Sequence, residues 1–315
     1  MAQNLNTLDS YDVRGIREDL SDIIYDVSPE ETPFYSKTKK VSASNTYHEW
    51  QTDALRAAAD NAHIEGDDTT ADARTATVRL GNYAQIFKNA VVVPDTDEGL
   101  KKAGRGREMA YQIMKTAKEQ KLDIEKALFA NQARSAGSSV TPRRLAGVPA
   151  WLVTNTEFET NQGADPTGDG TNARTDDNTP VAFSQTRFDP VMQAIWESGG
   201  DPDTVYLSAF QMNLALGFTG NNAQRNTVAN GKVVKNMEVY VTPWGTVQWV
   251  PSRHNRSRDV FIMQSDMWAV GILRPTKNTE LAKTGDNTKR QVVTELTLAC
   301  LNEKASGAVY DNTSS

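Results

Sequence analysis

Residues 45–66 read NTYHEWQTDALRAAADNAHIEG. Two of the chain's three histidines, His48 and His63, lie here, with Glu49 and Glu65 close by. An imidazole beside a carboxylate is the raw material of a metal site or an acid–base pair. The same stretch alternates weakly through Tyr47, Glu49 and Gln51. Its return, residues 75–94, alternates better at Val78, Leu80 and Ile86, and a polar apex, EGDDTTADAR, lies between the halves. The pattern predicts a long two-stranded excursion over 45–90 with few large apolar residues and no core of its own.

The rest of the chain is read around that excursion. At 315 residues it is long enough for one large irregular domain or two subdomains with a real core. Hydrophobic content is 38% and mean hydropathy is −0.56, so the polar surface is large, as in an elongated subunit. The net charge of −6 argues against a dedicated nucleic-acid reader, which carries a basic excess. The single cysteine, Cys300 in the apolar run TLACL, excludes an internal disulfide and a thiol zinc cluster and reads as a buried, inert thiol. No signal peptide opens the sequence and no window of about 18 apolar residues exists, so a cytoplasm-like compartment is expected.

Ahead of the excursion, Ile16, Leu20, Ile23 and Ile24 are spaced for one short helix, after which Pro29 and Pro33 predict extended chain. Residues 1–44 are too poor in apolar side chains to fold alone and read as an arm laid on something else. Behind it, Met109, Ile113, Ala117, Ile124 and Leu128 form a helical stripe that predicts a long helix over 107–131, with Glu119, Gln120, Lys121, Glu125 and Lys126 on the other face. LAGVPAWLVT, residues 145–154, is a strand candidate, followed by a Gly/Asp/Asn/Thr-rich loop. Residues 186–275 predict a compact α+β unit. Asp189–Pro190 opens one helix, Ser208 caps a second that stops at Gly217, and the strands MEVYVT, VQWVP, DVFIMQ and MWAVGIL follow. QVVTELTLACL, residues 291–301, predicts a final long strand.

Catalysis finds no carrier. His48-Glu49 lacks the second histidine of HExxH, because Thr52 stands in its place. His63 with Glu65 or Asp53 leaves a composite metal site open, beside the plainer reading of polar loop residues. His254 sits in a basic turn with no assigned partner. No G-x-S-x-G occurs, and GRGRE (104–108) lacks the G-K-[ST] end of a phosphate loop. The loop DPTGDGTNARTDDN has oxygen ligands enough for calcium but not the EF-hand spacing. Arg143–Arg144 and Arg253–Arg258 are open to contact with phosphate or to pairing with acidic neighbours. What remains is shape. Segments that cannot bury their own surface must bury it on another molecule, which points to obligate self-assembly.

Four stretches, in order, carry a resemblance: ETPFYSKTKKVSASNTYHEWQTDAL (31–55), GRGREMAYQIMKTAKEQKLDIEKALFANQ (104–132), LAKTGDNTKRQVVTELTL (281–298) and NEKASGAVYD (302–311). The chain resembles the major capsid proteins of tailed bacteriophages with the Hong Kong 97-type capsid fold, of the kind that includes coat proteins of long-headed podophages. The resemblance implies an α+β fold. Its parts would be an N-terminal arm (1–44), an extended loop or E-loop (45–90), a peripheral (P) domain with a spine helix (91–145), an axial (A) domain (146–275), and a return to the P domain (276–315). It implies no enzyme activity and no cofactor or metal. The copies would form hexamers and pentamers around packaged double-stranded DNA, with a portal at one vertex and scaffolding and decoration proteins as further partners. No membrane would be involved, and the shell would be assembled in the bacterial host cytoplasm. Arm and E-loop would touch neighbouring subunits through Phe34, Tyr35, Tyr47, His48, Trp50, His63, Glu65, Asp67 and Arg74. The acidic balance is consistent with DNA that must slide in and out.

Residues 41–87 contain no lysine. The Lys–Asn isopeptide cross-link known in the type member of the fold needs an E-loop lysine, so none is expected here. No scaffold-like helical segment precedes the arm, so a separate scaffolding protein, or none, is expected, with little N-terminal processing. The alternatives are an encapsulin-like compartment shell and a metal-dependent hydrolase using His48 and His63.

Overall fold

The computed structural model describes residues 32–66, 68, 74–102, 106–159, 161–218 and 239–314. The helix expected over Ile16–Ile24 lies outside them. From Thr32 the chain enters α1 (Pro33–Lys37) instead of running extended through Pro33. Proline's fixed φ suits the first position of a helix, so it restricts only the residue before it, and Thr32 is non-helical at φ −126°, ψ 71°. Strand β1 (Lys39–Ser42) follows, then the excursion: β2 (Tyr47–Thr52) pairs antiparallel with β3 (Val78–Tyr83), from Tyr47↔Tyr83 to Thr52↔Val78. Gly81 lies under the Tyr47 ring, where an added Cβ would fall 2.7 Å from Cζ.

Strand β4 (Gln85–Pro94) and a short α2 (Asp95–Gly99) lead to α3 (Glu108–Leu128), whose 21 residues span about 32 Å. Met109, Ile124 and Leu128 are buried as the stripe requires, but so are Thr116, Gln120 and Glu125. Gln120, expected on the solvated face, donates from Nε2 to Phe87 O (2.9 Å) and accepts from Thr294 Oγ1 (3.1 Å), tying α3 to the sheet below it.

LAGVPAWLVT is not a strand. Leu145–Leu152 is buried throughout and pairs in no sheet, with a 3-10 turn at Val148–Ala150. An apolar run of that length satisfies a strand and a buried turn equally, and Pro149 removes a ladder donor. After β5 (Thr156–Glu157), α4 (Gln185–Glu197) begins five residues before the expected Pro190, which sits inside it and is exposed. Ser184 takes the N-cap position that Asp189 was expected to fill. β6 (Thr204–Leu207) leads to α5 (Ala209–Ala215), capped as expected by Ser208, whose hydroxyl accepts from Gln211 N. β7 (Val239–Thr242), β8 (Gly245–Pro251), β9 (Val260–Met263), the long β10 (Trp268–Glu280) and β11 (Asn287–Cys300), and the short β12 (Gly307–Val309) complete the chain.

Two sheets carry the molecule. One has the order β1-β10-β11-β4, and the other β5-β12-β9-β6-β8-β7. Phe34, Phe129, Tyr206, Phe261 and Trp268 belong to a core shared between the sheets and α3, and a second core packs α4 on the six-stranded sheet through Phe188, Ile195 and Trp249. The expected division after residue 275 falls within β10. Residues 307–309 pair with β9 and β5, so the last forty residues contribute to both sheets.

Candidate functional site

The arm's attachment begins at α3. Helix α1 presents backbone N–H groups with no intrahelical acceptor, and Glu125 supplies one: Phe34 N donates to Oε1 (2.9 Å) and Tyr35 N to Oε2 (2.7 Å). Burial pushes the Glu125 carboxyl up to about 7, against the pull of those two donors and of Lys40. Glu125 was expected on the charged outer face of the helix and is instead fully buried. Phe34 packs 5.0 Å from the Phe129 ring, 5.5 Å from Tyr206 and 6.2 Å from Trp268. At 2% exposure it fills this chain's own core, which corrects its place among residues expected to touch a neighbour. Tyr35 is half-buried, with Lys40 Nζ 4.2 Å above its ring.

The base of the excursion is also held by its own chain. Tyr47 packs on Tyr83 (4.7 Å), and Trp50 lies between His48 (6.0 Å) and Trp151 (5.4 Å). Asn82, fully buried, donates to Ala146 O and Leu298 O and accepts from Ala146 N. Beyond Thr52 the character changes. Every residue from 53 to 66 is exposed, including Leu55 at 99% and Ile64 at 83%. Glu65 and Arg74 are exposed too, and Asp67 lies outside the described residues.

His48 lies in β2, its pKa lowered by burial, while His63 lies in the tip, 2.9 Å from Asn61 Oδ1. Among the described residues no group of three or more His, Cys, Asp or Glu is placed to hold a metal. In the loop after β5, Asp169 Oδ1 accepts from Thr171 N and Oγ1, and Asp177 Oδ2 accepts from Gln162 N and Gly163 N, so these carboxylates serve the loop itself. Cys300 is buried and its thiol is pushed up by that burial.

The arginine clusters resolve into ion pairs. Arg143 and Arg274 converge on Glu295, Arg256 pairs with Asp176 and Asp259, and Arg258 with Asp311. Arg144 and Arg253 have no ion pair among the described residues. Arg253 and Lys126 of α3 line a cleft of about 600 Å³ together with His254, Asn255 and the Arg256–Asp176 pair. The sequence offered no signal for this cleft, whose walls are 127 positions apart in the chain.

Comparison with known proteins adds four findings. Residues 2–313 match the family described as SU10 major capsid protein. The chain is 28% identical, over 340 aligned positions covering 96% of each, to a major capsid protein of Escherichia phage Phieco32. Its fold is similar to that of a Phage G structure of major capsid and decoration proteins (TM-score 0.55, 12% identity, covering 99% of this chain and 100% of that one). It is also similar to an encapsulin of Synechococcus elongatus PCC 7942 (TM-score 0.54, 10% identity, covering 90% and 89%).

Proposed function

The chain belongs to the SU10 major capsid protein family, and from that premise we propose how its copies meet in the shell. It is a structural protein and not an enzyme: a phage major capsid protein with the α+β Hong Kong 97-type fold, whose copies form the head of the virion. Our proposal is that residues 45–90 are the E-loop and that its tip lies on a neighbouring subunit in hexamers and pentamers. The exposed tip carries this reading: Leu55 and Ile64 find no cover on their own chain, although the base below them is anchored. Tyr35, Tyr47, His48, Trp50, His63, Glu65, Asp67 and Arg74 remain our contact set, with Phe34 withdrawn.

We assign residues 1–44 to the arm, 91–145 to the P domain and 146–267 to the A domain, with β10 and β11 returning together to the P domain because they share its sheet with β4. Decoration proteins accompany the major capsid protein of Phage G, and we infer such a partner here, with a portal, a scaffolding protein and packaged double-stranded DNA. The four stretches quoted from the sequence support membership among long-headed podophage coat proteins; virions with prolate heads and short tails would agree with it, and isometric heads would not.

Negative-stain microscopy of the purified protein at rising concentration tests the assembly. Closed shells, tubes or sheets are expected, and a persistent monomer would overturn the reading. An encapsulin shares the fold at 10% identity, and the family match over residues 2–313 decides for the phage head over the encapsulin-like alternative.

A further inference from the structure

We propose that the cleft between the C-terminal end of α3 and residues 253–256 is the seat of this chain's own acidic N-terminal segment, residues 9–31. The cleft is about 600 Å³; of its charged lining residues Arg256 and Asp176 pair with each other, while the exposed Lys126 and Arg253 form no ion pair among the described residues. Two buried polar atoms of residues lining the cleft also lack partners: Asn255 Oδ1, on a residue 7% exposed whose amide already donates to Tyr206 O and Asp259 O, and His254 Nε2. Buried polar atoms of this kind are nearly always satisfied in a native structure. An acceptor at Asn255 asks for a donor, and two cations ask for anions. A peptide with acidic side chains brings both, through its backbone N–H groups and its carboxylates; a phosphate brings only the second.

The chain supplies such a peptide next door. Residues 1–31 hold eight acidic residues and two arginines, a net of −6 that equals the charge of the whole chain, so residues 32–315 are neutral together. Glu30 and Glu31 directly precede Thr32. Two residues further on, Phe34 packs on Phe129, which itself lines the cleft, and Phe34 N is bonded to Glu125, the neighbour of Lys126. Six residues of extended chain reach about 20 Å, which is ample to lay residues 26–31 along it. For residues 9–31 this inference replaces the expected contact of the arm with a neighbouring subunit by a seat on their own chain, and it leaves the E-loop contact of the assembly reading as it was.

A water-soluble carbodiimide, which joins an amine to a carboxylate in contact, tests it on the full chain in an equal mixture of ¹⁴N- and ¹⁵N-labelled copies. Mass spectrometry is expected to find Lys126 joined to an acid between Asp9 and Glu31 of the same isotope. The yield should drop several-fold in Arg253→Glu, and in Glu30→Gln with Glu31→Gln. Links only between isotopes, or none from Lys126 to those acids, would overturn the proposal. So would salt-dependent retention of duplex DNA that Lys126→Glu and Arg253→Glu abolish, because the cleft would then be a phosphate site.

Discussion

Glu125 is a carboxylate enclosed by protein, holding two backbone N–H groups of a segment ninety positions away. Its raised pKa means that the folded chain binds the proton more tightly than the unfolded one. The resulting stability is fully present below about pH 4.5 and is lost as pH rises through about 7. The shift corresponds to on the order of 3 kcal/mol. Asp259, also pushed up to about 7 by burial, acts in the same direction. From pH 5 to pH 8 the melting temperature of Glu125→Gln should therefore rise relative to that of the wild type, because the wild type alone loses the Glu125 contribution over that interval; equal slopes would contradict this. Phe34→Ala should cost about 3–5 kcal/mol in chemical denaturation, the usual range for emptying a buried aromatic site. A surface contact residue would show almost no loss in that measurement. Neither role was legible beforehand, since a glutamate at a helical position reads as solvated until its distant partner is known.

At the scale of elements, periodicity served well where a segment is long or capped. Helix α3, the Ser208 cap of α5 and the terminal strand β11 all follow from local pattern. It served badly where tertiary contact decides. Leu145–Leu152 is apolar because it is enclosed, not because it is pleated, and α4 starts before its proline because Arg187 and Phe188 are already packed. The excursion divides the same way: alternation located β2 and β3, while nothing local marked where the ribbon leaves its own chain. Replacing Leu55 and Ile64 together by Asp should leave circular dichroism and melting unchanged, because neither touches the core, yet prevent shell formation in sedimentation. Normal shells from that variant would remove the tip from the interface.

For the whole molecule, the order of parts was readable while the closure of the chain was not. β12 returns to β9 and β5 across nearly fifty and one hundred and fifty positions, pairings that three short residues cannot announce. The absence of lysine between 41 and 87 yields a prediction at this scale. Shells boiled in denaturant should run as single chains of 34.7 kDa, and covalent ladders would refute that. The bare tip has one more consequence. Two aliphatic groups, each worth about 1.5–3 kcal/mol when covered, sum to about 3–6 kcal/mol, a grip on the order of tens of micromolar to several millimolar. A wrongly placed copy can let go before its neighbours trap it, and durability then comes from the number of handholds around a ring, so growth of the lattice can correct its own mistakes.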